Sequence, residues 1–386
     1  LDASDKYALI EKLKGEGKYV ISVKEVKTTR FMNIDFINKF LSRVKLQDKI
    51  NFAKNLSAMI EAGLSLSRSL NILERQTKNL KFKEVIGALS ENINKGGNLS
   101  EGMEKFPKIF PPLFVSMVHA GEESGSLTES LQVIGNQLEK SYSLQKKVKG
   151  AMLYPAIVII TMILITVLML IFVVPTLTDT FKELEVELPA STKLVILVSD
   201  FLSQNTFASI LLVLLVILSF IFAIRTKRGK HIFEFFILRI PIVGEIAKQV
   251  NSARTARTLS SLLSSGVDMV ESIKITKNVV QNHYYKEVLM KAESEVQKGV
   301  ALSTIFKKRE DIYPILVGEM MEVGEETGKF SEMLMRVAIF YENEVDIATK
   351  NISTIIEPVL MVVMGIGVGF FAISMITPIY SLSSAI

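Results

Sequence analysis

The chain repeats itself at a fixed offset of 203 residues, and each copy ends in a long uncharged segment marked by prolines. Setting residue n against n+203 pairs Ala53 with Ala256, Leu56-Ser57 with Leu259-Ser260, Gly63 with Gly266, and Lys95-Gly96 with Lys298-Gly299. The same frame sets Pro111 against Pro314, Gly121-Glu122-Glu123-Ser124-Gly125 against Gly324-Glu325-Glu326-Thr327-Gly328, Pro155 against Pro358 and Pro175 against Pro378. A gap-free frame that carries prolines and an acidic run together is a duplicated module, and its period is far beyond that of a solenoid unit. Two whole domains are expected, each tied to its own apolar segment.

Hydropathy is concentrated rather than spread. The mean hydropathy is +0.34 with 49% hydrophobic residues, which places the chain toward the membrane class. Ala151 to Thr178, Phe201 to Ile224 and Pro358 to Ile386 carry no charged side chain, and each exceeds the roughly 20 apolar residues a spanning helix needs. The first of them starts too far into the chain to be a cleavable signal peptide. Lys146, Lys147 and Lys149 precede the first span and Arg225, Lys227, Arg228 and Lys230 follow the second, whereas Asp179, Glu183, Glu185 and Glu187 dominate between them. The positive-inside rule then puts the N-terminus in the cytoplasm and the C-terminus outside. The net charge of +5 reads as a membrane-flank effect, and no basic stripe interleaved with aromatics points to nucleic acid. The chain has no cysteine, so disulfides and thiolate metal sites are excluded.

The expected fold is an all-α membrane protein with two homologous cytoplasmic bundles of about six helices each and three transmembrane helices. The expected order is an N-terminal adaptor segment over 1–45 and a first module over 46–150. A first span over 151–176, an external loop over 177–193 and a return span over 194–224 follow. A second module over 225–350, a third span over 351–380 and an external tail over 381–386 complete it. The return span has no repeat partner, and it is what lets a second outward-going copy face the cytoplasm. Alternation in Tyr19–Val26 predicts a strand in the adaptor. Leu127, Leu131, Ile134, Leu138 and Tyr142, echoed by Phe330, Leu334, Val337 and Tyr341, form stripes that meet no clear stop before the membrane. The last helix of each module is therefore expected to run on into its span as a stiff rod.

The acidic runs are expected in loops before those long helices, and more than one reading stands for them. Gly121, Gly125, Gly324 and Gly328 permit tight turns, with Ser126 and Glu129 forming a capping box and acids favouring a helix N-terminus. Alternatively, Glu122, Glu123, Glu325 and Glu326 face a partner or hold a divalent cation. Gly324 to Phe330 misses the phosphate-loop spacing and lacks its Ser or Thr. His119, His231 and His283 show no metal-ligand spacing, so surface or packing roles are expected. No nucleophile, metal cluster or cofactor motif stands out, and no enzyme activity or cofactor is expected. Gly365 and Gly369 make a Gly-x-x-x-Gly face that is either a contact surface or a chance pattern. Glu357 either snorkels to the interface or serves a buried polar role. Pro155 and Pro358 are expected to mark kinks.

Leu153-Tyr154-Pro155, Val174-Pro175, Ile356-Glu357-Pro358, Pro378-Ile379 and the doubled Gly-Glu-x-x-Gly runs resemble the type II secretion system F family over residues 46 to 386. The resemblance implies a non-enzymatic platform in the bacterial inner membrane. It also implies partners: a hexameric secretion ATPase in the cytoplasm, a pilin or pseudopilin, alignment proteins of the inner membrane, and a second copy of the chain as a dimer. By that resemblance, Glu122, Glu123, Glu325 and Glu326 face the ATPase. The spans carrying Pro155, Gly365 and Gly369 contact pilin or another copy, with Pro175, Glu357, Pro358 and Pro378 as further kink or packing positions of the membrane helices. The competing expectation is a small-solute transporter or channel, since parallel repeats with proline-containing spans occur there too.

Overall fold

The computed structural model describes residues 43–183 and 188–383. The strand expected at Tyr19–Val26 lies outside the described residues. Everything described in regular structure is helical.

The first module is built from α1 (Leu46–Glu61), α2 (Leu66–Gln76), α3 (Leu80–Asn94), α4 (Leu99–Glu104), α5 (Pro112–Glu123) and α6 (Leu127–Ala151). Each boundary has a local cause. Ser65 and Asn79 accept from the first-turn amides of Arg68 and Phe82, and Pro112 opens α5 where a missing N–H costs nothing. At the end of α1, Gly63 takes φ +84° while Leu64 N–H reaches Met59 O (3.0 Å) and Gly63 N–H reaches Ile60 O (2.9 Å), a Schellman closure.

α7 (Leu153–Leu168), a π-turn (Met169–Val173) and α8 (Val174–Glu183) continue α6 with only a one-residue turn at Met152. Pro155 explains that turn, because it has no N–H for the carbonyl of Ala151. The helix does not close at Pro175 but continues to Glu183, and α9 (Ala190–Gln204) starts inside the expected external loop. The expected single return helix is in fact two, α9 and α10 (Thr206–Arg225), broken at Asn205 (φ −119°, ψ 50°). The polar run Ser203-Gln204-Asn205-Thr206 breaks an otherwise apolar pattern there.

The chain re-enters through α11 (Lys227–Arg239) into α12 (Val243–Ser264), α13 (Met269–Val279), α14 (His283–Val296), α15 (Leu302–Lys307), α16 (Ile315–Thr327) and α17 (Phe330–Ser383). α11 meets α12 through a γ-turn at Ile242 (φ +69°, ψ −59°) closed by Val243 N–H to Pro241 O (2.8 Å). Ile242 is the only non-glycine with positive φ among the described residues, so this joint is strained. α17 runs unbroken for 54 residues through Pro358 and Pro378, a rod of roughly 80 Å at 1.5 Å rise per residue.

The two cores are versions of one another. Phe52, Phe82, Phe110 and Phe114 cluster in the first with ring centroids 5.2–6.4 Å apart. The equivalents of the first three are Thr255, Tyr285 and Tyr313. Their added hydroxyls are all bonded, Thr255 Oγ1 to Tyr313 OH (3.0 Å) and Tyr285 OH donating to Ile312 O (2.6 Å). Burial raises the phenol pKa of both tyrosines well above its usual value.

The modules also pack on one another. Leu262 and Ile275 complete the first core, Leu144 completes the second, and Gln137 Nε2 donates to Thr258 Oγ1 (2.9 Å) in the buried seam. Nearer the stems, Asp346 bridges Lys147 (2.7 Å) and Lys147's own repeat equivalent, Lys350 (3.2 Å). Hydrogen bonds from these two ammonium groups hold the Asp346 carboxyl below its usual range.

Among the described residues, Leu127–Glu183 and Phe330–Pro378 are long and apolar enough to cross a membrane, and a shorter apolar stretch covers Leu214–Arg225. Ile160, Phe172, Ile366 and Val368 are typical of the large apolar side chains these helices expose.

Candidate functional site

The acidic runs occupy the last turns of α5 and α16, not loops. Their five positions have separable physical jobs. A Cβ on Gly121 would sit 3.1 Å from Leu127 Cα and 2.7 Å from Ser130 Cβ, and one on Gly324 would sit 2.8 Å from Phe330 Cα. These first glycines therefore permit a close helix crossing. The last ones, Gly125 and Gly328, make the turn itself, at φ +71° and +69°. Between them, Ser124 Oγ and Thr327 Oγ1 donate back to the carbonyls of Ala120 and Val323 (2.7 and 2.6 Å).

The first glutamate of each run turns inward and caps a helix some twenty residues upstream. Glu122 accepts from Leu99 N–H (2.5 Å), Ser100 N–H (3.1 Å) and Ser100 Oγ (2.5 Å) at the start of α4. Glu325 accepts from Leu302 N–H (2.7 Å), Ser303 N–H (3.3 Å) and Ser303 Oγ at the start of α15. Helix N-termini carry unpaired amides and a partial positive charge, so a carboxylate there is doubly favourable. The box expected from Ser126 and Glu129 does not form. Ser126 makes no cap bond to α6, and its hydroxyl pairs with that of Ser124 (2.6 Å).

The second glutamates, Glu123 and Glu326, are exposed, with Glu123 beside His119 (3.5 Å). α4 has a second source of capping, since Glu101 accepts from Asn98 N–H (3.4 Å), whereas Ala301 offers α15 no side-chain cap. Glu325→Ala is therefore expected to cost about 1–3 kcal/mol, and more than Glu122→Ala, in denaturant unfolding of the purified chain.

Two further contacts recur at the same offset. Ser57 Oγ donates to Thr128 O and Ser260 Oγ to Ser331 O (2.9 and 2.7 Å), tying the first helix of each module to its last. Lys54 pairs with Glu139 (2.7 Å), and Arg257 pairs with Glu342 in a bidentate contact, Nε donating to one carboxylate oxygen and Nη2 to the other (2.8 Å).

In the stems, each closing proline leaves a carbonyl without its usual amide partner, and α9 supplies a hydroxyl to each. Within the π-turn Val174 N–H reaches Met169 O, five residues back. The next amide in that register would serve Leu170 O, but residue 175 is proline. Ser199 Oγ donates to Leu170 O instead (2.5 Å). Pro378 likewise has no amide for Ser374 O, four residues back, and Thr192 Oγ1 donates there (2.5 Å). Thr192 and Ser199 are fully buried and two turns apart on one face of α9. Val174, Phe181, Val195 and Met375 close an apolar cluster around them.

Of the other stem residues singled out by the sequence, Pro155 is buried, whereas Gly365, Gly369, Glu357 and Pro358 are open. Cβ atoms built on Gly365 and Gly369 meet nothing within 4 Å, so among the described residues no helix packs on that face. Glu357 and Pro358 are exposed, and the helix continues through both.

Sequence spacing hid one cluster. His231 on α11 and His283 on α14 stand with ring centroids 3.5 Å apart, and Glu287 lies 2.8 Å from His283 Nε2. The two histidines come from different helices, so no local motif marks them, although His283 and Glu287 have the four-residue spacing of one helix face.

The sequence profile described as "Type II secretion system (T2SS), protein F" matches residues 52–175 and 255–378, a frame that ends on Pro175 and Pro378. The type IV pilus assembly protein PilC of Thermus thermophilus is 35% identical over 337 residues, 87% of this chain and 83% of its own length. That of Myxococcus xanthus is 31% identical over 386 residues, 100% of this chain and 92% of its own. Type II secretion system protein F of Vibrio cholerae is 27% identical over 362 residues, 93% of this chain and 88% of its own. With the profile matched twice and such relatives aligned along most of its length, the chain belongs to the type II secretion system protein F family.

Proposed function

We propose that this chain is a non-enzymatic inner-membrane platform that couples a cytoplasmic secretion ATPase to the lifting of pilin or pseudopilin subunits into a growing fibre. The observation that carries this reading is mechanical. Each helical head is continuous with its own apolar stem, by α17 without interruption and by α6 to α8 with one turn at Met152. A rotation or tilt imposed on a head is thereby delivered into the bilayer with little loss, since a helix resists bending over these lengths.

In this reading the chain crosses the bilayer three times, with both heads and the N-terminus cytoplasmic and the C-terminus outside. α10, at 20 residues, spans about 30 Å and returns the chain between the two stems. Of the four glutamates expected toward the ATPase, exposed Glu123 and Glu326 make the contact, while Glu122 and Glu325 hold the surface that presents them. The bare face of Gly365 and Gly369 takes a helix of another molecule, pilin or a second copy, in a dimer that also meets the alignment proteins.

The test replaces Glu123 and Glu326 by lysine in a strain lacking its own platform protein. Fibre assembly and ATPase co-purification should fall to background while the protein stays folded in the membrane. Full assembly and unchanged co-purification with both changes in place would remove these residues from the contact.

A further inference from the structure

We propose that His231, His283 and Glu287 form a site for one divalent transition-metal ion of the zinc class, which fastens the re-entering helix α11 to the second module. The platform reading uses none of these residues, and the site stands or falls independently of it.

One ligand atom from each of the three side chains lies within 4.8 Å of the others. His231 on α11 and His283 on α14 are half-buried, with ring centroids 3.5 Å apart, and Glu287 is exposed. A shared cation would take one lone pair from each side chain, replacing the present His283–Glu287 hydrogen bond (2.8 Å).

The donor set selects the ion. Two imidazole nitrogens and one carboxylate oxygen suit a borderline ion such as Zn2+, whereas Ca2+ and Mg2+ prefer oxygen donors throughout. Three protein ligands leave a fourth tetrahedral position to water. His283 and Glu287 need only side-chain rotation, because their spacing puts both on one face of α14. The backbone beneath them is already held. Glu234 on α11 accepts from His283 N–H (2.8 Å) and sits beside Lys230 (3.6 Å), so one turn of α11 fixes the start of α14.

The position gives the ion a mechanical use. α11 follows directly on α10 and meets α12 at the strained γ-turn of Ile242. A metal at the far end from that joint would clamp α11 along α14 and set the angle at which the return helix enters the second module.

The test uses the full-length chain in detergent micelles without a histidine tag, stripped with chelator and then dialysed against Zn2+ or Co2+. Wild type should retain one Zn2+ per chain by elemental analysis, and its Co2+ form should show the visible bands of a tetrahedral site. His231→Ala should abolish retention. Glu287→Gln, at an exposed position, should weaken it by at least about tenfold with the circular dichroism spectrum unchanged. Zn2+ should also raise the thermal unfolding midpoint of wild type and leave that of Glu287→Gln unmoved. Retention by wild type no greater than by His231→Ala, or equal affinity in Glu287→Gln, would overturn the site.

Discussion

Replacing Arg257 by alanine is expected to destabilise the second module by about 3–5 kcal/mol, because it strands a buried carboxylate. Arg257 and Glu342 have side chains only 11% and 10% exposed, and one edge of the guanidinium meets both carboxylate oxygens. The repeat supplies its own control. Lys54 and Glu139 occupy the equivalent positions at 37% and 52% exposure, where an ion pair contributes about 0–1 kcal/mol. Lys54→Ala should therefore be nearly silent. Denaturant unfolding of the purified chain, followed by proteolysis specific to each module, separates the two. Equal losses from both substitutions would mean that burial does not set the value of this pair.

The double change Thr192→Val with Ser199→Ala should loosen the two stems at their closing prolines, Pro175 and Pro378. Each substitution leaves one backbone carbonyl in apolar surroundings without a donor, at a cost of about 1–2 kcal/mol within a membrane. The changes conserve shape, so the apolar cluster of Val174, Phe181, Val195 and Met375 keeps its packing. Spin labels placed on α8 and near Thr377 should show a narrow distance distribution in wild type and a broad one in the double variant. An unchanged distribution would mean that apolar packing alone holds the stems. Because α9 serves both prolines, each single change should affect mainly the stem it caps.

The sequence read alone made much of this legible, for identifiable reasons. Paired residues in one frame predict paired structure, and Gly63 with Gly266, Gly96 with Gly299 and Gly125 with Gly328 all adopt positive φ. A glycine fixed at a helix end by backbone geometry is a local signal. Glu122 and Glu325 are the opposite case. Their partners lie 22 and 23 residues upstream, so no local spacing marks the cap and only the tertiary fold brings α4 and α15 to these carboxylates. The hydroxyls of Thr192 and Ser199 were equally silent, since nothing in α9 announces that a proline elsewhere has left a carbonyl unpaired. Asn205 did carry a signal in its polar flank, and the strength of the surrounding hydropathy concealed it.

The glutamate runs show how a short motif can mislead when each residue is given one role. Acid beside glycine suggests a turn and a charged surface. In the folded chain the glycines serve two separate ends, close crossing and chain reversal, and the acids divide between an inward cap and an outward face. The contact surface inferred for Glu123 and Glu326 therefore depends on Glu122 and Glu325 even if no partner touches them. Loss of assembly in Glu325→Ala would report the fold of α15 first.

For motion of the heads to reach the stems together, both heads must lie on one side of a bilayer, joined by stiff helices to stems that run in the same direction. The chain contains no native cysteine, so single cysteines can be placed without background. Glu123→Cys, Glu326→Cys and Lys182→Cys should be probed in intact cells with a membrane-impermeant maleimide and again after lysis. Lys182→Cys is expected to label in intact cells, and both head positions only after lysis. Labelling of one head and not the other in intact cells would contradict it.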